Sequence, residues 1–168
     1  MRKFALYTIF ILFVSCRFRK DREYVAKIDQ LPTFQIISLD SSRFIDTKTL
    51  AAGKALIFFY FDPDCEHCQK ETKTILTHID RLSNVQIYLV TNGLDSSVKT
   101  FCKKLRPDTL ENVMIGRDYQ YSFYRAFVPP TVPYVAIYNS RKKLTKVYIG
   151  ETNINYVINA AQNNNYGQ

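Results

Sequence analysis

The chain has no tryptophan, only two histidines and four cysteines, and no internal repeat. A structural zinc site wants four Cys or His ligands at suitable spacing. Beyond Cys65 and Cys68 the remaining candidates are His67, His78 and Cys102, and there is no second CxxC, so the pattern argues against zinc. No nucleic-acid-binding module signature is present either. The formal charge of +8 therefore reads as a soluble surface with excess lysine and implies no nucleic-acid partner. Nor is the chain poor in apolar residues. It is 46% hydrophobic with 12 Tyr and 12 Phe, which excludes a disordered polymer. Its 168 residues are one domain's worth, enough to bury a core.

Charge is missing from residues 4–14, a largely apolar run behind Arg2 and Lys3. The run is shorter than the roughly 20 residues that span a bilayer. It fits the core of a secretory signal peptide. Residues 13–16 read Phe-Val-Ser-Cys and resemble a bacterial lipobox, with Phe13 where Leu is usual. The resemblance implies cleavage after Ser15, so that residues 1–15 are a signal peptide, and lipid on the Cys16 thiol. Stable anchoring takes more than one acyl chain, which a diacyl or triacyl Cys16 would supply. Residues 16–30 are dense in charge, lack a strong apolar face, and read as a lipid-anchored tether. Arg17 stands where an Asp would suggest inner-membrane retention, which leans toward the outer membrane.

The folded domain is expected over residues 31–165, with 166–168 as a tail. Short β-rich runs at 34–39 and 43–47 suit a hairpin. Residues 55–61, ALIFFYF, form a continuous apolar run that suits a strand buried on both faces. A helix is expected over 66–82, a buried strand over 85–90, and a second helix over 96–105 that Pro107 stops. A strand at 113–115 and an aromatic helix at 119–127 follow. Strands at 134–138 and 144–149 read as a hairpin, and residues 153–162 as the last helix. This order implies an α/β fold, a three-layer sandwich with a mixed central sheet flanked by helices.

The segment Asp62-Pro63-Asp64-Cys65-Glu66-His67-Cys68 lies between the buried strand and the helix. Cys65 is placed at the helix N-terminus, where free N–H groups and the helix dipole favour a thiolate. Cys68 comes three residues on, one turn further in, where the two sulfurs can bridge without backbone distortion. The outer cysteine is then the nucleophile and the inner one resolves the mixed disulfide. A static disulfide here would close almost no loop and stabilise little. Glu66 and His67 are placed to tune the pair in opposite directions. His78 and Cys102 read as packing residues.

The strand ALIFFYF, the motif FDPDCEHC, residues 130–134 leading into a strand, and Gly150 before the last helix resemble the thioredoxin superfamily. The likeness is to the envelope-anchored TlpA/ResA type of thiol–disulfide oxidoreductase, and it covers residues 31–165. It implies a thioredoxin-like fold and a cis-proline beside the disulfide, for which Pro133 is the matching position. It also implies that the backbone of Val132 pairs with an extended substrate. Two features depart from the family. Asp64 replaces the usual Trp before the first cysteine, and Phe59 replaces the buried acid of thioredoxin. The proton acceptor for Cys68 is then open, with Asp62 and Glu71 as candidates that read more simply as solvated surface acids.

The reaction so implied is disulfide exchange in the bacterial cell envelope, on the periplasmic side, needing no organic cofactor and no metal. Exported cysteine-containing proteins would be the substrates and a membrane or envelope thiol donor the electron source. The competing reading keeps the fold and makes the protein a binding or assembly lipoprotein with no essential redox role. A peroxidase is disfavoured because Asp62 stands where peroxiredoxins carry Thr or Ser. Copper delivery is disfavoured because the spacing is CxxC and no His follows His78.

Overall fold

A computed structural model describes residues 27–163. The signal peptide, Cys16, most of the tether and the tail lie outside the described residues. Seven strands form one sheet in the order β2-β1-β5-β4-β3-β6-β7. They are β1 (Gln35–Ser38), β2 (Phe44–Asp46), β3 (Ala55–Phe61), β4 (Val85–Thr91), β5 (Val113–Asp118), β6 (Tyr134–Tyr138) and β7 (Leu144–Ile149). The helices are α1 (Glu66–Thr77), α2 (Asp95–Leu105), α3 (Ser122–Phe127) and α4 (Ile154–Gln162). β3, β4 and β5 run parallel, while β1, β2, β6 and β7 pair antiparallel, so the sheet is mixed.

All seven residues of β3 are buried, as a strand covered on both faces requires. Side chains alternate across a strand. Ala55, Ile57, Phe59 and Phe61 join the layer holding Cys68, Ile75, Val98, Phe101, Val157 and Ile158, beneath α1, α2 and α4. Leu56, Phe58 and Tyr60 face the other way, into a layer closed by Phe34, Phe123 and Phe127. That second layer is largely aromatic. The rings of Phe123 and Tyr60 stack at 4.8 Å, and Phe34 meets Phe58 edge-on at 5.0 Å. The register Leu56↔Tyr138 and Tyr60↔Tyr134 puts the start of β6 beside the end of β3.

The strand expected over 113–115 runs on to Asp118, the helix expected over 119–127 becomes α-helical at Ser122, and two further boundaries differ in ways that touch the core. The fold begins before Pro32: Ile28 is fully buried, and the Tyr138 hydroxyl donates to its carbonyl at 2.9 Å. One apolar residue in a charged segment is too weak a pattern to mark a core contact. The helix expected over 66–82 stops at His78, whose backbone leaves the helical region (φ −108°, ψ 22°). A tight 3-10 turn continues over Ile79–Leu82 and keeps Leu82 buried, so the apolar pattern persists across the break.

Candidate functional site

β3 ends at Phe61 and the chain turns through Asp62, Pro63 and Asp64 into α1. Asp64 N–H donates to the Asp62 carboxylate at 2.8 Å, and Cys65 N–H donates to the Asp62 carbonyl at 3.2 Å. The turn is braced from outside. A Cβ on Gly93, in the β4–α2 connection, would stand 2.4 Å from Pro63 Cδ, so only glycine allows this approach. Ser97 on α2 donates its hydroxyl to Asp64 at 2.7 Å, and Gln69 donates its amide to the Pro63 carbonyl at 2.8 Å.

Cys65 is the N-cap of α1 and its sulfur accepts the Cys68 N–H at 3.3 Å. A helix start leaves such donors without intrahelical partners, and here one is aimed at the sulfur. Cys65 is half-buried and Cys68 fully buried, and both are free thiols. Burial, and then its hydrogen bond to Cys65, push the Cys68 thiol far above the ordinary range. The outer sulfur is therefore reachable and the inner one is held as a thiol.

Glu66 is exposed in the first turn, where an acid suits the helix dipole. His67 is exposed too, and its Nδ1 lies 3.1 Å from Glu151, which also pairs with Lys70. Glu151 follows Gly150, whose φ of +80° turns the chain out of β7. Gly150 N–H donates to the Pro133 carbonyl at 2.8 Å, tying this loop to the start of β6. The Val132–Pro133 peptide bond is cis. From the β3–β6 register, Val132 and Pro133 lie at the sheet end from which the Cys65 turn departs. Among the described residues nothing accepts the Val132 N–H.

Glu71 departs most from the sequence reading. It is no solvated surface acid: it is 4% exposed, three residues beyond Cys68 on the same buried helix face. Neither carboxylate oxygen has a hydrogen-bond partner among the described residues. Burial, and then the charge of Glu151, push its carboxyl up to about 7, and the nearby Thr152 N–H, outside hydrogen-bond geometry, offsets some of this. Its position on the stripe of Cys68 and Ile75 could have flagged it. Asp62, the other candidate, is exposed and serves the turn. Glu151, Gly93 and Ser97 lie far away in sequence and carried no local signal. His78 is half-buried, with Nδ1 2.9 Å from the Thr74 carbonyl. Cys102 is half-buried on α2, and desolvation lifts its thiol to about 11.

No protein-family model matches this sequence, and no curated protein matches it. Solved structures do. The fold is thioredoxin-like. A secreted Mycobacterium tuberculosis disulfide oxidoreductase homologous to E. coli DsbE superposes with a TM-score of 0.64 at 14% identity, over 81% of this chain and 96% of that one. StoA from Bacillus subtilis gives 0.60 at 17% identity, over 78% and 97%. A peroxiredoxin-like protein from Aquifex aeolicus gives 0.62 at 18% identity, over 80% and 84%. Proteins with names as different as disulfide oxidoreductase and peroxiredoxin-like protein thus share this frame, and the chemistry has to be argued from the site.

Proposed function

We propose that the protein is a thiol–disulfide oxidoreductase whose Cys65–Cys68 pair cycles between dithiol and disulfide. The observation that carries this is the asymmetry of the two sulfurs. Cys65 is accessible and receives an N–H bond, while Cys68 is buried behind it as a thiol. In the reducing direction the Cys65 thiolate attacks one sulfur of a substrate disulfide. A mixed disulfide forms and the first substrate thiolate leaves. Cys68 then gives up its proton and attacks the Cys65 sulfur. The Cys65–Cys68 bond forms, the second substrate thiolate leaves, and two electrons have passed to the substrate.

Glu71 is the acceptor for the Cys68 proton. A carboxyl near 7 is half ionised at neutral pH, so it can take that proton and return it in the reverse step. The Val132 N–H beside cis Pro133, which nothing accepts among the described residues, is a backbone donor for an extended substrate segment. His67 and Glu66 modulate the pair from the surface. The accessible Cys65 favours exchange over a binding module with idle cysteines.

The leader at residues 1–15 and the lipobox-like Cys16 support an exported protein, lipid-anchored in the bacterial envelope on the periplasmic side, with exported cysteine proteins as substrates. The solved structure named as a secreted disulfide oxidoreductase is consistent with that reading.

The test is the reduction potential of the full chain, read by alkylating Cys65 and Cys68 after equilibration in defined thiol buffers. One reversible two-electron transition is expected, and Cys65→Ser abolishes exchange with a model disulfide. A pair that never equilibrates with the buffer sinks the proposal.

A further inference from the structure

We infer that the pole of the domain opposite the cysteines docks on an anionic membrane surface and turns Cys65 away from the bilayer. The inference rests on the envelope reading above.

The two ends of the sheet are built from different residues. β3 starts at Ala55 and ends at Phe61, and a strand of that length separates its ends by roughly 20 Å. At the Phe61 end stand the exposed acids Asp62, Asp64 and Glu66, with Asp95 and Glu151 on neighbouring loops and helix starts. At the Ala55 end bases gather in two turns, with the acids Asp80 and Glu111 on the far side of Lys54, lining one hollow with it. Lys54 precedes β3, and Arg141, Lys142 and Lys143 form the β6–β7 turn beside it. Gly53 N–H donates to the Ser140 carbonyl at 3.0 Å, which holds these two turns together.

The N-terminal segment enters the fold at the same place. Leu31 N–H donates to the Lys142 carbonyl at 3.0 Å, Leu144 N–H donates to the Asp29 carbonyl at 2.7 Å, and Gln30 pairs with Lys143. Lys27, just before it, is exposed. Asp29 is the acid within this group. No ion pair among the described residues engages Lys27, Lys54, Arg141, Lys142 or Lys143. The preceding stretch, residues 17–22, reads RFRKDR and follows the apolar run at 4–14.

The occupant follows from that continuity. A chain whose apolar leader or acylated Cys16 sits in a bilayer enters the fold beside this basic turn, since Lys27 comes 11 residues after Cys16 along a stretch itself rich in Lys and Arg. Lys and Arg near an anionic leaflet each favour adsorption by about fivefold, an attraction that fades within a Debye length. At the site end Glu151 is paired with Lys70 and His67 and Asp95 with Arg117, so Asp62, Asp64 and Glu66 alone among the acids named there lack an ion pair, and the basic turn sets the orientation. A nucleic acid would satisfy the charge and not the adjacency of the leader.

Lysine acetylation of the full chain on vesicles, read by mass spectrometry, tests this. On phosphatidylcholine with about 30% phosphatidylglycerol, Lys27, Lys54, Lys142 and Lys143 should be modified at least threefold more slowly than on pure phosphatidylcholine, while Lys99 on α2 is unchanged. The Arg141→Gln/Lys142→Gln/Lys143→Gln variant should lose most of the protection at Lys27 and Lys54. Association with both vesicle types without selective protection overturns the docking surface and leaves the anchor standing. No association with either overturns both. Protection by single-stranded DNA and not by anionic vesicles overturns it in favour of a polynucleotide partner.

Discussion

Glu71 follows Cys68 by three residues on α1, and both side chains are buried on the same helix face. A buried acid with no hydrogen-bond partner among the described residues is costly once ionised. Its folded-state carboxyl is raised from 4.5 to about 7. Its contribution to stability is therefore fully present below about pH 4.5 and is lost as pH rises through 7. Over that window the loss is of order 3 kcal/mol. Glu71→Gln should flatten the dependence and be the more stable protein at pH 8. Urea midpoints at pH 4.5, 6 and 8 measure it, and parallel profiles for the two proteins would contradict it.

The same substitution should separate the two chemical steps. Attack by Cys65 on a substrate disulfide proceeds, while resolution by Cys68 slows by about 10- to 100-fold. Quenched-flow trapping of the mixed disulfide with Glu71→Gln should show it accumulating, and Cys68→Ser should trap it outright. A mixed disulfide that resolves at the wild-type rate removes Glu71 from the proton transfer.

Gly93→Ala should disturb the cysteine turn without touching a cysteine. The new methyl meets Pro63 at 2.4 Å, and overpacking of this kind costs about 1–3 kcal/mol. Pro63 must move, and the Ser97 and Gln69 bonds to this turn lengthen with it. Cys65 alkylation rates should change by about tenfold or more, whereas Ser97→Ala, which removes one surface bond, should change them less than threefold. Equal effects from both would refute the brace.

Glu151→Gln removes the shared partner of Lys70 and His67. It also removes the charge that, after burial, raises the Glu71 carboxyl. The pH midpoint of the resolving step should fall, with little change in melting temperature because the pair is on the surface. An unmoved midpoint would show that burial alone sets Glu71.

Much of the fold and site is legible in the chain because local patterns coincide with tertiary ones. ALIFFYF reads as a two-faced strand, and its seven residues are buried in alternation between two cores. CxxC after that strand fixes both sulfurs, since N-cap and first turn follow from sequence order. Glu71 is misread from sequence because a charged residue on a helix defaults to solvent, and only the β7–α4 loop packed over it decides otherwise. Glu151 and Gly93 act across the sheet end, at separations where spacing holds no information. Ile28 escapes a sequence reading because one apolar side chain among charges has no period.

The antiparallel seam between residues 29–31 and the β6–β7 turn also decides how the domain bears load. Tension arriving from before Lys27 meets Ile28 and the bonds of Asp29 and Leu31 first, near the Ala55 end of β3. These contacts would yield singly, in sequence, while the turn braced by Gly93 and Ser97 kept its shape. The domain is thus hung from one corner, and a tug on its leash frays a hem and spares the reacting sulfurs.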